Sequence, residues 1–261
     1  MNENNISSSR SNFITYIKFA LLQNRKALLL SALSIWAIYI FMGVIMGYNM
    51  IGGGKGEIIT FSLIAETIAA VGASFAFSNM KTKEQRIYDL MIPASIDAKY
   101  FTRWIAIVPG LFLILVAGFY LGDLARIASF SIFNPYITAP AEYGNIIDIW
   151  GFYTGYGDSD AMLIFCLAFG CYFMMQSIYL FGAILWPKLS FIKTFAAVYV
   201  IQTVLGLTVM MIHKWISISF SIEDVIWLLW CVFSVMVVIT VLCYILAYYR
   251  YRNSQVVYKL F

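Results

Sequence analysis

The sequence predicts an all-α integral membrane protein with six transmembrane helices. The chain of 261 residues is 62% hydrophobic and only 11% charged, with a mean hydropathy of +0.83. So few charges do not cover the surface of a soluble domain of this size. Six separate stretches are also apolar enough to cross about 30 Å of hydrocarbon, which takes about 20 helical residues. These stretches are residues 27–48, 58–78, 104–121, 161–186, 194–213 and 225–248.

The basic residues divide unequally between the two sides of this layout. Fourteen of the 17 Lys and Arg residues fall in the N-terminal segment, the second and fourth loops and the tail, while Lys55, Arg126 and Lys214 fall on the other side. Positive residues near span ends stay in the cytoplasm, so both termini are predicted to be cytoplasmic. The net charge of +4 then reflects topology and contact with the lipid bilayer, not nucleic-acid binding.

The N-terminus, residues 1–26, is predicted to contain an amphipathic helix over residues 11–26. Phe13, Ile14 and Ile17 recur at helical spacing, with polar residues largely on the opposite side. We expect this helix to lie in the inner membrane interface. The alternative is a frayed extension of the first span.

Glu66 is the one acidic or basic residue deep within a predicted span. A carboxylate in lipid is costly and by default indicates function. Ser62, Ala69, Ala70 and Ala73 lie on or beside its face and permit close helix contact, so Glu66 is expected to face the bundle. Two hypotheses follow: a substrate or proton site, or a protonated Glu that stabilises the bundle or dimer through a hydrogen bond. We favour the second.

Gln176 and Gln202 lie near the middle of spans four and five, at a depth similar to that of Glu66. Together the three side chains are candidates for a polar translocation path. Such glutamines are more often interhelical hydrogen-bonding residues.

The loop 79–103, between spans two and three, is predicted to begin with a short surface helix. Ile87, Leu90 and Met91 form an apolar stripe at i, i+3 and i+4 on a charged segment. Pro93 ends this helix, because the residue before a proline disfavours helical geometry.

A second helix is predicted directly after this break. Ser95 is suited to cap its N-terminus, and Asp97 in its first turn is favoured by the helix dipole. The helix continues through Lys99 and Arg103 into the third span. The two helices and the break between them make an elbow that offers a protruding surface to a partner.

The sequence of the loop 79–103 resembles a loop found in a known protein family. The run Leu90-Met91-Ile92-Pro93-Ala94-Ser95, followed by Lys99 and Arg103 before a span, is similar to the loop after the second span of type-two ABC-exporter permease subunits, many of which carry an LPAS…K…R segment there. The six-span count, the amphipathic N-terminal helix and the basic tail, residues 249–261, agree with that resemblance.

The resemblance implies that the six-span domain, residues 27–248, is the permease subunit of an ATP-driven exporter in a bacterial cytoplasmic membrane. A separate cytoplasmic ABC ATPase would dock on the loop, and a second permease copy would complete a homodimer or heterodimer. The residues expected at or beside the ATPase contact are Arg86, Ile87, Leu90, Met91, Pro93, Ala94, Ser95, Asp97 and Lys99.

Two features of the third span and the loop after it carry weaker predictions. Pro109 and Gly110 predict a kink, which serves either as a gating hinge or as a packing bend. The long outer loop, residues 122–160, contains an apolar stretch at 127–137 that is expected at the outer interface. Its turn-rich end either caps an exit path or forms a connector.

Catalysis is not predicted. Residues 52–56, GGGKG, lack the spacing and the following Ser or Thr of a phosphate-binding loop, and neither H-E-x-x-H nor G-x-S-x-G occurs. His213 is the sole histidine, and the four cysteines lie within predicted spans, so no metal site or cofactor is expected. ATP hydrolysis is therefore expected in a partner subunit.

Two other functions stay open at this point. The first alternative is an ion-coupled secondary transporter that uses Glu66, although no inverted repeat is evident. The second alternative is a non-transporting membrane assembly or sensor subunit, which would tolerate Glu66→Gln.

Overall fold

The computed structural model describes residues 3–48, 55–80, 82–92, 94–133, 158–215 and 222–256, and in these ranges it contains helices and no strand. The all-α prediction is confirmed there. A 3₁₀ turn, Ser78–Met80, and a π turn, Ala106–Gly110, join some of the helices. The helices are α1 (Glu3–Tyr48), α2 (Lys55–Phe75), α3 (Lys83–Met91), α4 (Ile96–Ile105), α5 (Leu111–Phe133), α6 (Asp158–Leu185), α7 (Ser190–Trp215) and α8 (Ile222–Val256).

Five helical stretches of the described chain are long and apolar enough to cross a membrane. They correspond to predicted spans one, three, four, five and six. The second predicted span coincides with α2, in which Thr60–Phe75 form a shorter apolar helix. The chain is thus a multi-pass helical membrane protein by the length and composition of its helices. The five stretches are Phe13–Tyr48, Ile96–Phe133, Cys166–Leu185, Ser190–Thr208 and Ile226–Asn253.

Helix α1 has 46 residues and runs without interruption into the first predicted span. At 1.5 Å per residue its length is about 69 Å, more than twice the hydrocarbon thickness. The placement of residues 11–26 in the inner interface stays a prediction. They are helical, as predicted, and the helix continues into the first predicted span without a break. The reason is local, because the sequence has no glycine or proline before Gly43 to interrupt the helix.

The chain divides into two compact units. The first contains Met1–Ala69 and Leu90–Phe152, and the second contains Ala70–Asp89 and Tyr153–Phe261, as far as these ranges are described. Helices α1, α4 and α5 therefore belong to the first unit, and α6, α7 and α8 to the second. The boundaries fall inside α2 and near the end of α3.

The core of the first unit is the contact between α1 and α5, where glycines allow the backbones to approach closely. A β-carbon on Gly43 would overlap the carbonyl oxygen of Gly122, and one on Gly47 would overlap the hydroxyl of Ser129. Gly118 similarly faces the ring of Tyr39, with 2.9 Å between its notional β-carbon and the nearest ring atom. The four-residue glycine spacing on both helices is typical of close helix pairs in membranes.

Aromatic side chains pack in the same core of the first unit. The indole of Trp36 donates a hydrogen bond to the carbonyl of Ile114 at 3.0 Å, and the buried Tyr39 hydroxyl donates to the carbonyl of Phe61 at 3.2 Å. The Phe61 ring packs edge-on against Tyr39 and Phe119, with centroid distances of 5.4 and 5.1 Å. Apolar rings are thus buried while their polar groups are satisfied.

In the second unit, α6 packs against both α7 and α8. Gly182 lies directly against the side chain of Thr194 on α7. Gly170 faces the ring of Phe233 on α8, which would lie 3.2 Å from a β-carbon at that position. Glycines on α6 therefore allow both α7 and α8 to approach it closely.

The irregularity predicted at Pro109 is present as the π turn Ala106–Gly110. Proline has no amide hydrogen to donate, and in a regular α-helix its ring clashes with the carbonyl of the residue four positions earlier. The amide of Leu111 donates to the carbonyl of Ala106, five residues back. The helix thereby re-forms its hydrogen bonds around the proline.

The long loop predicted at 122–160 is shorter than expected. Helix α5 continues to Phe133, and α6 begins at Asp158, so both ends of the predicted loop are helical. The apolar stretch predicted at 127–137 is helical over 127–133; residues 134–157 lie outside the described residues. Asp123 and Arg126, which fall within the predicted loop, pair with each other and allow the helix to continue.

Candidate functional site

The elbow predicted between spans two and three is present as two short helices. The first arm, α3, ends at Met91, and the second arm, α4, begins at Ile96. Between them the amide of Ala94 donates to the carbonyl of Ile92 at 2.8 Å, which closes a tight turn. Pro93 itself lies outside the described residues. The helix–break–helix prediction is confirmed.

Ser95 caps the second arm as predicted. Its backbone is extended (φ −63°, ψ 152°), and its hydroxyl accepts a hydrogen bond from the amide of Ala98 at 3.1 Å. Asp97 lies in the first turn. The cap satisfies one of the amides that a helix start leaves without an intrahelical partner.

The first arm begins with a capping box that sequence analysis missed. The amide of Gln85 donates to the hydroxyl of Thr82, and the Gln85 side-chain oxygen accepts from the amide of Thr82, both at 3.3 Å. The sequence signal is present, because residues 82–85 read T-K-E-Q and match the S/T-x-x-E/Q pattern. Both arms therefore carry their own start signal.

Replacement of Ser95 by alanine is expected to loosen the second arm. Loss of the cap removes about 1 kcal/mol from the first turn, so the amides of Ala98 and Lys99, which both donate to Ser95, should exchange about fivefold faster in hydrogen–deuterium exchange. Ser95→Asp keeps an acceptor and should preserve the parental rate. Unchanged exchange in Ser95→Ala would show that the cap does not stabilise this arm.

The first arm presents apolar side chains at the surface. Ile87, Tyr88 and Met91 are 46, 60 and 76% exposed. These residues are apolar anchors of the kind that a protein partner buries. Arg86 and Leu90 belong to the same helix, but their side chains lie outside the described part of the structure.

The second arm is more buried than predicted. Ser95 and Asp97 are exposed and Ala94 is half-buried, but Lys99 is only 2% exposed. Lys99 is therefore inaccessible in this structure, and its contribution to a docking surface stays a prediction. Helix α4 packs against α1, and Lys99 is among its buried residues.

The elbow also contains a buried contact that sequence analysis did not predict. The Tyr251 hydroxyl near the end of α8 donates to the Asp89 carboxylate at 3.4 Å, and the Tyr251 ring packs on Phe77 with centroids 5.3 Å apart. No sequence signal joins residues 162 positions apart, so only the packed structure brings them together.

The three predicted pathway residues lie in different surroundings. Glu66, in the first unit, is half-buried, and the small residues Ala69 and Ala73 on its helix are buried as predicted. Gln176, in the second unit, is fully buried, whereas Gln202 on α7 is exposed. The two glutamines therefore do not share one environment, and the translocation path stays a prediction.

A buried ion pair is the third feature that sequence analysis missed. The Arg126 guanidinium donates to one oxygen of Asp123 through Nη2 at 2.7 Å and through Nε at 3.2 Å. Both side chains are more than nine-tenths buried on α5. The D-x-x-R spacing within an apolar helix was the available signal, but the pair had been assigned to the outer loop.

Among the described residues, no group of three or more His, Cys, Asp or Glu side chains is arranged to hold a metal ion. The four cysteines are free thiols.

No protein-family model matches the chain, and no curated protein or solved structure matches it either. Function has to be inferred from the residues and contacts described above.

Proposed function

We propose that this chain is the membrane-spanning permease subunit of an ATP-driven exporter, energised by a separate cytoplasmic ABC ATPase that docks on the elbow. The observation that carries the proposal is the exposed apolar surface of α3, formed by Ile87, Tyr88 and Met91. A short, capped helix with such a surface, leading through a second capped helix into an apolar one, is suited to receive force from a soluble partner.

In the proposed topology six helices cross the membrane: the five long apolar stretches and, in addition, α2. The distribution of Lys and Arg residues then keeps both termini and the elbow in the cytoplasm, where ATP is available. A bacterial cytoplasmic membrane and a second permease copy, identical or related, complete the proposed assembly.

The division of the chain suggests how docking would act. The boundary between the two units falls between Asp89 and Leu90, inside the elbow. Residues 70–89, just before it, belong to the unit of α6–α8, and the residues after it lead through α4 to the unit of α1 and α5. Displacement of the elbow by an ATPase would therefore reach both units through the chain itself, and would alternate access to a path between two copies.

Co-purification is the test of this proposal. The tagged full-length chain, extracted from its native host in mild detergent, is expected to retain a soluble ATPase in stoichiometric amount. Met91→Asp should remove the ATPase, because a charge would lie in the buried centre of the contact. The matched control is Leu189→Asp, an exposed apolar residue (65%) between α6 and α7 on the same predicted side.

The outcomes separate the candidate functions. Loss of the ATPase in Met91→Asp but not in Leu189→Asp would support the exporter assignment. A clean oligomer without an ATPase would contradict it. Proton-dependent flux that Glu66→Gln abolishes would then favour the ion-coupled transporter.

A further inference from the structure

Phe77, Asp89 and Tyr251 form a buried cluster, here called the α8 anchor, within the second unit. Their side chains are 2, 4 and 0% exposed. Tyr251 contacts Phe77 through its ring and Asp89 through its hydroxyl. The cluster thus joins the segment before α3 and α3 itself to the last helix of the chain.

On α3, the anchor depends on one buried side chain. Among the α3 side chains that the structure describes, Asp89 alone is buried, and the others are exposed: Glu84, Gln85, Ile87, Tyr88 and Met91. A helix of nine residues has little stability of its own. Asp89 is therefore the described α3 side chain that packs this helix against the rest of the second unit.

Near the end of α8, the anchor likewise depends on one buried side chain, that of Tyr251. Tyr251 is flanked by Arg250 and Arg252, both exposed, and Tyr249 is exposed as well. Tyr251 thus turns inward from an otherwise exposed and basic segment. A buried tyrosine hydroxyl requires a hydrogen-bonding partner, and the carboxylate of Asp89 supplies an acceptor.

We propose that Tyr251 is a positioning residue that makes the end of α8 move together with the first arm of the elbow. This inference rests on the proposed function, because its consequence is that an ATPase docked on α3 would displace α8 directly. The second arm, α4, would at the same time act on the first unit through its contact with α1. The elbow would thereby drive the last helix through a side-chain contact in addition to the chain connections.

Hydrogen–deuterium exchange on the full-length chain in lipid nanodiscs tests the anchor without any ATPase. Tyr251→Ala removes both contacts and should raise exchange of amides 83–91 about tenfold. Asp89→Ala should reciprocally raise exchange near the end of α8. Tyr251→Phe keeps the ring contact and loses only a long hydrogen bond, so a smaller increase is expected. Tyr249→Ala, an exposed neighbour, is the matched control.

A spectroscopic measurement tests transmission itself. A spin label on Asn253→Cys, which is exposed on α8, is introduced after replacement of the native cysteines. In the complex with the co-purified ATPase, ATP is expected to change the label spectrum. Tyr251→Ala should abolish that change and Tyr251→Phe should reduce it, while both retain the ATPase. Tyr249→Ala should leave the change intact.

The outcomes distinguish this inference from the proposed function. Parental exchange of amides 83–91 in Tyr251→Ala would overturn the anchor whether or not an ATPase is present. An ATP-induced spectral change in Tyr251→Ala equal to that of the parent would overturn transmission. Absence of an ATPase would refute the proposed function, and the exchange data alone would then decide whether α3 and α8 are coupled.

Discussion

Gly43→Ala is expected to destabilise the protein, although alanine normally stabilises a helix relative to glycine. The added methyl group would overlap the Gly122 carbonyl oxygen and would lie 3.3 Å from the Arg126 amide nitrogen. These neighbours are backbone atoms and cannot turn away, so α1 and α5 must separate. Overpacking of this kind costs about 3 kcal/mol, which outweighs a gain in helix propensity of about 1 kcal/mol.

The matched control is Gly206→Ala. Gly206 lies on α7, and no atom lies within 4 Å of a β-carbon placed there. Its replacement should therefore leave stability unchanged or raise it by up to about 1 kcal/mol. Reversible unfolding of both variants in the same lipid nanodiscs measures the difference. Equal stability of Gly43→Ala and Gly206→Ala would contradict the close approach of α1 to α5.

Asp123→Asn is expected to destabilise the protein by about 3–5 kcal/mol. The variant leaves the Arg126 guanidinium in the α1–α5 core without the carboxylate that now lies 2.7 Å from it. A charge in apolar surroundings is costly unless an opposite charge compensates it. The same unfolding measurement gives the size of the effect.

A double variant identifies charge compensation as the cause. Asp123→Asn combined with Arg126→Gln removes both charges and should recover most of the lost stability, because neutral pairs are tolerated where a lone charge is not. Glu84→Gln, at an exposed position, controls for loss of a carboxylate as such. A double variant as unstable as the single one would show that the side chains stabilise the core by shape and not by charge.

The helical class and the elbow followed from local sequence properties. Hydrophobic length predicts a membrane helix because every backbone group in lipid must be satisfied within its own segment. The break near Pro93 and the cap at Ser95 likewise depend on residues within one turn. The capping box at Thr82 was equally accessible in the sequence.

Contacts between distant residues were not predictable in this way. The third predicted span ended at residue 121 and so placed Asp123 and Arg126 in a loop, because a sequence does not show which charges lie close enough to compensate each other in a buried helix. Lys99 was expected at the partner contact because of the family resemblance of the loop, whereas the structure buries it. Burial of these side chains depends on the helix packed against them, which pattern and spacing leave undetermined.

The sequence by itself therefore determined that this chain is a helical membrane protein with a broken helix pair between its second and third apolar segments. Each of those properties arises from interactions within a few residues along the chain. Only the tertiary structure decided that the glycines of α1 meet those of α5, and that Tyr251 meets Asp89. Such contacts join residues far apart in sequence, and their free energy comes from close packing that exists only once the helices have assembled.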